Sequence, residues 1–416
     1  MTRVVVVGAG VVGLFSALHA LRRGFDVTLV DRDPDGHRGC SYGNAGMIVP
    51  SHFVPLAAPG MVRLGLRWMM DPASPFHVKP RLSPDFASWA WRFFRSSTQA
   101  HVQRAAPLLR DLATASRSIY EALANEPGEG FGLVRSGMLV VCRTAHALEE
   151  ESQVAELARS LGIPVTTLDA RAAIARDPLL RDDIAGAVHY PGDCHLDPDR
   201  LMAWLKARVV AEGARVLRDT EVTGFSSRGA TVHAVQTRAA SLAGDVFVLC
   251  GGVWSPALAR TLGLSIPLEA GKGYSVTVRT PEGFGPHCAI LSEARVAVTP
   301  MGDRLRVGGT MQLAGIDTSI DERRVRAVTG ALPRYYKGVD GDALASATPW
   351  AGLRPCTPDG IPYIGRTRRY ANLIVAAGHA MMGVSLGAVT GSIVGQLAAG
   401  EMPPFDMAAL SPDRFG

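Results

Sequence analysis

A glycine-rich turn near the amino terminus constrains this chain more than any other feature of its sequence. An apolar run at residues 3–7 leads into Gly8-Ala-Gly10-Val-Val-Gly13, a helical stretch and a second apolar run at residues 26–30. Glycines at this spacing allow a tight turn, close approach of a pyrophosphate and close packing of the helix on the strand. Asp31 follows the second run, where a carboxylate accepts a hydrogen bond from a ribose hydroxyl. The pattern predicts a dinucleotide-binding βαβ unit; the alternative is a purely structural glycine-rich turn.

Later segments resemble further parts of the same kind of domain. Asp197 and Pro198 are suited to the N-cap and first position of a helix, and a buried strand at residues 245–250 ends in Gly251-Gly252, which indicates close approach of backbone to a ligand. Short alternating runs between residues 272 and 315, with a hairpin tip at 301–303, predict an antiparallel sheet.

The chain has 416 residues, enough for two or three domains. We predict an α/β and α+β fold in which a Rossmann-like nucleotide domain is built from discontinuous segments, residues 1–55, 192–268 and 346–416. An inserted substrate domain with the antiparallel sheet takes residues 56–191 and 269–345.

Residues 370–400 contain no Asp, Glu, Lys or Arg, and this stretch is long enough to span a bilayer. However, residues 372–377 are typical of a buried strand and residues 378–379 of a turn. The helix that remains, 384–397, is too short to cross a membrane. We therefore predict a core segment of the nucleotide domain rather than a membrane anchor.

Composition excludes several other classes of protein. Hydrophobic residues make up 47% and charged residues 19%, as in ordinary globular chains, and the net charge of +5 comes from scattered arginines that do not indicate nucleic-acid binding. The six cysteines lie far apart, so no metal or disulfide framework is expected. The amino terminus lacks the pattern of a secretory signal, which favours a cytoplasmic protein.

Aromatic and basic residues alternate between residues 55 and 130. The aromatic side chains are Trp68, Trp89, Trp91, Phe93 and Phe94, and the basic ones are Arg63, Arg67, Arg92 and Arg95. Such a segment either packs its aromatic faces into the core with the arginines outward, or docks peripherally on the inner face of the membrane.

Five motifs of this chain occur in the same order as in FAD-dependent D-amino-acid dehydrogenases, which the chain resembles over nearly its whole length. They are Gly8-x-Gly10-x-x-Gly13, Ser41-x-Gly43-Asn44-Ala45-Gly46, the strand end at 250–256, Trp350-Ala-Gly-Leu-Arg354-Pro-Cys-Thr-Pro-Asp359-Gly, and Ala377-Gly-His379-x-x-x-Gly383. The chain is also similar to glycine oxidase of the same superfamily. The Asn-Ala-Gly loop favours the dehydrogenase branch.

The resemblance implies a non-covalent FAD, because no Cys or His matches a flavin-linking position. It assigns cofactor contacts in groups: the pyrophosphate turn Gly8, Gly10, Val11, Val12 and Gly13; the adenosine end Asp31, Arg32 and Val222; the glycine strand end Gly251; the isoalloxazine loop Ser41, Asn44, Ala45, Gly46 and Met47; and the pyrimidine turn His379, Met382, Gly383, Val384 and Ser385.

The resemblance also implies that Arg354 holds a substrate carboxylate, as a guanidinium does with two parallel hydrogen bonds. Glycine oxidase has a second arginine where this chain has Met381, so the second contact is expected from Tyr274 or His52. Methionines beside the flavin favour an apolar or cyclic side chain, such as that of D-proline or hydroxy-D-proline.

The expected reaction is hydride transfer from the α-carbon of a D-amino acid to flavin N5, which gives the imino acid and needs no catalytic side chain. The sequence leaves the electron acceptor open among oxygen, a quinone and an electron-transfer protein. Alternatives are a glycine or sarcosine oxidase, an NAD-linked dehydrogenase, and a non-catalytic flavin protein recruited to membranes.

Overall fold

The computed structural model describes residues 1–36, 39–69, 74–79 and 81–416. Within these ranges the strands, numbered along the chain, are β1 Arg3–Val7, β2 Asp26–Val30, β3 Met47–Ile48, β4 Phe76–Val78, β5 Met138–Cys142, β6 Thr166–Asp169, β7 Gly186–Tyr190, β8 Cys194–His195, β9 Arg215–Leu217, β10 Val222–Arg228, β11 Thr231–Thr237, β12 Ser241–Ala243, β13 Val246–Leu249, β14 Glu269–Arg279, β15 Cys288–Leu291, β16 Val296–Met301, β17 Arg304–Leu313, β18 Trp350–Cys356, β19 Tyr363–Arg366 and β20 Leu373–Ala377.

The helices alternate with these strands over the whole chain. They are α1 Val11–Leu21, α2 Met61–Met69, α3 Pro84–Ser96, α4 Gln99–Ala124, α5 Ala145–Ser160, α6 Ala170–Arg176, α7 Pro198–Ala211, α8 Ser255–Arg260, α9 Glu322–Thr329, α10 Gly341–Ser346, α11 Gly383–Ala398 and α12 Met407–Leu410. Short 3-10 turns lie at Gly252–Trp254, Leu332–Arg334 and Ala380–Met382.

A six-stranded sheet in the order β19-β20-β13-β1-β2-β9 carries the glycine-rich turn. The pairs β1–β2, β1–β13, β13–β20 and β2–β9 are parallel, and only β19 runs antiparallel to its neighbour. The strands come from the beginning, middle and end of the chain, as a discontinuous Rossmann-like sheet requires. The carboxyl ends of β1, β13 and β20 meet at one edge, where open α/β sheets bind ligands.

The uncharged stretch forms β20 and α11 in the core of this part of the fold. Helix α11 packs on α1 and α4, and Gly391 permits the contact because a Cβ there would lie 2.5 Å from the backbone of Phe15. Tyr120 of α4 donates a hydrogen bond to the Val384 carbonyl at 2.6 Å. One helical segment of the described residues, Ala380–Ala398, is long and apolar enough to cross a membrane, so the prediction that this helix is too short was wrong. More than half of the segment is buried, as in a helix of a protein core.

The second large sheet has nine strands and is largely antiparallel. Its order is β18-β14-β17-β16-β15-β5-β7-β6, and β4 pairs with β17. Hairpin β16–β17 turns at residues 302–303, as predicted. Between the pairs Lys272–Gln312 and Tyr274–Gly309, two residues of β17 oppose one of β14. This β-bulge at residues 310–311 bends the strand beside Arg354.

The fold class predicted from the sequence is therefore confirmed. The helix at Pro198 also begins as predicted, because the Asp197 side chain accepts hydrogen bonds from the backbone of Asp199 and Arg200. The exact division into domains stays a prediction. Ion pairs join the second sheet to the start of α7: Arg304 of β17 contacts Asp197, and Arg306 contacts Asp199 at 3.2 Å.

Candidate cofactor and substrate site

A cavity of about 540 Å³ opens at the carboxyl edge of the six-stranded sheet and extends toward β18. Most of the residues that the sequence assigned to the cofactor line it: Gly8, Gly10, Val11, Val12, Asp31, Arg32, Ser41, Asn44, Val222, Gly251, His379, Gly383 and Val384. The structure thus brings together segments that lie up to several hundred residues apart in the chain. The cavity is elongated from the β2 end to Leu353 and Pro355, which flank Arg354.

The amino terminus of α1 faces the cavity. Gly10 is its N-cap and has no side chain to satisfy the first backbone N–H groups. A Cβ on Gly10 would meet only the Ser41 hydroxyl, at 3.7 Å, so the space above it belongs to the cavity. The Val11 N–H donates to Ser41 Oγ at 3.1 Å. Free N–H groups and the positive end of a helix are suited to a pyrophosphate.

Asp31 and Arg32 form the opposite end of the cavity. Asp31 accepts hydrogen bonds from the backbone N–H of Ala9 at 2.5 Å and of Asp33 at 2.8 Å. The Arg32 guanidinium lies 3.8 Å from the ring centroid of Trp254, in a cation–π contact. This end therefore offers a carboxylate and a flat aromatic wall, which fit a ribose and an adenine.

The remaining assigned cofactor residues do not line the cavity: Gly13, Ala45, Gly46, Met47, Met382 and Ser385. They support those that do. A Cβ on Gly13 would overlap the Gly8 carbonyl, Gly46 donates to Asn44 Oδ1 at 2.8 Å, and Ser385 Oγ accepts from the Val49 N–H at 3.1 Å. Ala45, Met47 and Met382 pack in the apolar cluster beneath the loop.

Arg306 holds the loop that carries Ser41 and Asn44. Its guanidinium is 2% exposed and donates to the carbonyls of Tyr42 at 2.6 Å and Asn44 at 2.9 Å. Burial lowers its pKa, and Asp199 opposes that effect. Sequence reasoning missed Arg306 because it lies in the middle of a strand with no motif around it. Trp254 was missed as a wall residue, although it lies within the quoted 250–256 motif.

The turn before α11 is strained at the cavity wall. Ala380 has a φ of 47°, in a left-handed region that costs a non-glycine residue energy. His379 Nε2 lies 2.9 Å from Thr390 Oγ1, and burial lowers its pKa to about 4. His379 is therefore neutral at physiological pH and fixes the turn through a hydrogen bond rather than a charge.

Arg354 lies on β18 beside the bulge of β17. Its guanidinium donates to the Thr310 carbonyl, and it lies so close to Gly273 that a Cβ there would overlap it. Thr310 itself has a φ of 69°, which turns its carbonyl out of the ladder. The ion pairs found among the described residues include none with Arg354, and burial lowers its pKa. A half-buried guanidinium without a carboxylate partner is available to an anionic ligand.

Tyr274 does not reach Arg354. Its side chain is 1% exposed within the apolar cluster of the second sheet, and its hydroxyl donates to Gln312 Oε1 at 2.9 Å. Adjacent residues of a strand point to opposite faces, and Gly273 already faces the guanidinium. The expectation that Tyr274 supplies the second carboxylate contact is therefore not met in this structure.

His52 lies in the loop that follows β3, and its Nδ1 is 3.4 Å from Ser51 Oγ. It keeps accessible surface, yet burial lowers its pKa to about 4. Cys40 and Arg354 show the same combination of partial exposure and a pKa shifted by burial. His52 is not among the residues that line the cavity, and its contact with a substrate stays a prediction.

Comparison with known proteins agrees with this geometry. The family model described as FAD dependent oxidoreductase matches residues 3–397. The chain is 33% identical over 421 residues to D-amino acid dehydrogenase of Granulibacter bethesdensis, with 99% of each chain covered. It is 34% identical over 419 residues to the protein of the same name from Cereibacter sphaeroides, covering 99% of this chain and 95% of the other.

Solved structures share the fold. Glycine oxidase from Geobacillus kaustophilus superposes with a TM-score of 0.80 at 24% identity, and all of each chain is covered. L-proline dehydrogenase from P. horikoshii superposes with a TM-score of 0.71 at 19% identity, covering 100% of this chain and 97% of the other.

Proposed function

Because the chain belongs to the FAD-dependent oxidoreductase family, it is a flavoprotein oxidoreductase, and we propose that it dehydrogenates a D-amino acid or a cyclic imino acid to the imino product. The observation that carries this proposal is an arginine beside the cavity. Arg354 donates to the Thr310 carbonyl, forms no ion pair among the described residues, and lies close enough to Cys40, which lines the cavity, to affect the pKa of that thiol. A carboxylate held there is fixed beside the cofactor.

The residues that would hold FAD follow from the cavity. The N–H groups at the start of α1 would bind the pyrophosphate, Asp31 the adenosine ribose, and the 41–47 loop together with the 379–385 turn the flavin ring. FAD, when bound, accepts a hydride from the substrate carbon and passes electrons to an acceptor. The protein binds, orients and excludes water; the start of α11 adds the positive end of a helix near the pyrimidine.

The methionines of the 379–385 turn support a substrate with an apolar side chain. Met381 is 44% exposed, and Met382 lies half-buried in the core beneath the turn. No charge stands at either position, so nothing there compensates a polar or charged side chain. We therefore favour D-proline or hydroxy-D-proline over glycine or sarcosine.

Anaerobic mixing of the purified holoenzyme with single amino acids tests this function. We expect D-proline, hydroxy-D-proline or another apolar D-amino acid to bleach the oxidised flavin absorbance, while the L-enantiomers leave it unchanged. Readmission of oxygen or of a water-soluble quinone then distinguishes an oxidase from a dehydrogenase. If only glycine or sarcosine bleaches the flavin, the protein is a glycine or sarcosine oxidase instead. If no compound bleaches the flavin, the proposed reaction is refuted.

A second proposal concerns a cytoplasmic protein that docks on the membrane through α2 and α3. Trp89 is buried and donates to the Cys356 carbonyl, so it belongs to the core. In contrast, Leu66, Trp91 and Phe94 are 62%, 60% and 56% exposed, and the rings of Trp91 and Phe94 stack 5.9 Å apart. Exposed arginines 63, 67 and 95 lie on the same helices. Apolar side chains among cations fit an anionic bilayer surface.

Sedimentation with lipid vesicles tests this surface. The wild-type holoenzyme is expected to bind vesicles that contain phosphatidylglycerol and to bind phosphatidylcholine vesicles weakly. The double substitution Trp91→Ala and Phe94→Ala should reduce binding about 10-fold or more, because two interfacial aromatic anchors are lost. Val210→Ala, at an exposed apolar residue on α7, is the matched control. Unchanged vesicle binding of the double variant, or a changed oligomeric state without vesicle binding, would overturn this proposal.

A further inference from the structure

A buried carboxylate, a hydroxyl and an imidazole form a chain of contacts between the loop after β3 and the segment before β8. Asp193 is 2% exposed and Ser51 is 7% exposed. Asp193 Oδ1 accepts from the Ser51 N–H at 3.2 Å, and Asp193 Oδ2 accepts from Ser51 Oγ at 2.5 Å. Ser51 Oγ lies 3.4 Å from His52 Nδ1. The three side chains are therefore linked in the order Asp193, Ser51, His52.

The β3–β8 ladder produces this arrangement. Met47 pairs with His195 and Ile48 with Cys194, so the residues after β3 and before β8 are adjacent. The loop is tied to the start of α11 by the bond between Val49 and Ser385. The loop that carries Ser51 and His52 is therefore held beside the 379–385 turn, and Asp193 is buried beneath it.

Asp193 has no cationic partner in the ion pairs of the described residues. Burial raises its pKa to about 7, against the hydrogen bonds from Ser51 and the distant charge of Arg117 on α4. The titratable groups that face it, Tyr190, Cys194 and Cys288, have pKa values raised by burial and stay neutral. A buried carboxylate without a cationic partner is costly to the fold when it is ionised, so Asp193 is poised to take up a proton.

We propose that Asp193, Ser51 and His52 form a proton relay that deprotonates the ammonium group of the substrate. This inference rests on the proposed function. An amino acid must lose this proton before its α-carbon can release a hydride, since the nitrogen lone pair forms the new C=N bond. The nitrogen proton moves to His52 Nε2, the Nδ1 proton moves to Ser51 Oγ, and the Ser51 proton moves to Asp193 Oδ2. One proton enters at His52 and one is stored on Asp193, so charge and atoms balance.

The relay predicts the pH dependence of turnover. Asp193 accepts a proton only when it is ionised, so kcat/KM for the substrate found in the bleaching assay should fall as the pH drops through about 7. His52 is neutral throughout this range because its pKa is about 4. In Asp193→Asn the fall of kcat/KM at low pH should shift to alkaline pH, where the substrate amine is already neutral. At pH 7 its kcat/KM should be reduced about 100-fold.

Conservative variants distinguish a relay from a structural role. Ser51→Ala should shift the pH profile as Asp193→Asn does, whereas Ser51→Thr keeps the hydroxyl and should restore it. Asp177→Asn, at another buried carboxylate whose pKa burial raises, should leave the profile unchanged. A profile of Asp193→Asn parallel to the wild type, with FAD bound, would overturn the relay.

An infrared titration tests the relay without turnover. The C=O stretch of a protonated carboxyl should disappear between pH 6 and 8 in the wild-type holoenzyme and be absent from Asp193→Asn. The infrared band can be measured even if no amino acid bleaches the flavin. Failure of the proposed function is therefore distinguishable from failure of the relay. Absence of the band difference would refute the proton store.

Discussion

Substitution of Arg354 by alanine is expected to lower kcat/KM for the amino-acid substrate about 100-fold or more and to leave FAD bound. A bidentate pair between guanidinium and carboxylate in a buried site is worth several kcal/mol when one partner is removed. Among the described residues, no other arginine donates to the Thr310 carbonyl, so none is expected to replace Arg354. Steady-state kinetics and the flavin absorbance of the purified variant measure the two effects.

Arg354→Lys and Gly273→Ala test whether geometry or charge matters. Lysine keeps the charge but loses the planar fork, so we expect an intermediate loss of about 10-fold. At Gly273 a methyl group would displace the guanidinium, which is the flexible end of a side chain. KM should rise about 10-fold while the unfolding temperature is unchanged. Gly341→Ala, where a Cβ meets nothing within 4 Å, is the control. Unchanged kinetics in Arg354→Ala would remove Arg354 from the substrate site.

A pair of glycine substitutions should separate loss of FAD from loss of the fold. In Gly13→Ala the new methyl group overlaps the Gly8 carbonyl, so α1 must move away from β1. We expect loss of FAD together with a fall of roughly 5 °C in the unfolding temperature of the apoprotein. In Gly10→Ala the methyl group points into the cavity, and we expect FAD affinity to fall about 100-fold with little change in apoprotein stability.

Calorimetry of the apoproteins and titration with FAD distinguish the two glycines. The N-cap backbone of Gly10, φ −69° and ψ 176°, is accessible to alanine, so conformation does not confound its result. Equal losses of stability in both variants would show that Gly10 serves packing. Retention of wild-type FAD affinity in Gly10→Ala would place the pyrophosphate away from the start of α1.

The sequence was sufficient to predict the nucleotide-binding half of the molecule because its signals are local. A glycine spacing, a capped helix and an apolar strand each reflect backbone geometry within a few residues. The strand predicted at residues 26–30 is present, and the hairpin tip predicted at residues 301–303 is observed at 302–303. In contrast, β5, β6 and β7 were not predicted, because their pairing with each other and with β15 joins segments far apart in the chain.

The residues around the proposed substrate site could not be predicted without the tertiary structure. Two features decide whether Tyr274 faces Arg354 or the core: which side chains of β14 point to each face of the sheet, and the bulge at Thr310. Neither feature can be recognised in the sequence. Arg306 and the Asp193–Ser51–His52 chain join residues that are more than 100 positions apart.

The sequence by itself predicted the fold class and the glycine-rich turn, because these follow from short-range sterics and local hydrogen bonding, whereas Arg354 was assigned through the resemblance of its motif. Only the tertiary structure decided which polar side chains contact one another, which lie on the opposite face of a sheet, and which buried carboxylates form no ion pair within the described ranges. Burial and charge environment are properties of packed surfaces from distant segments, so they exist only in the folded chain.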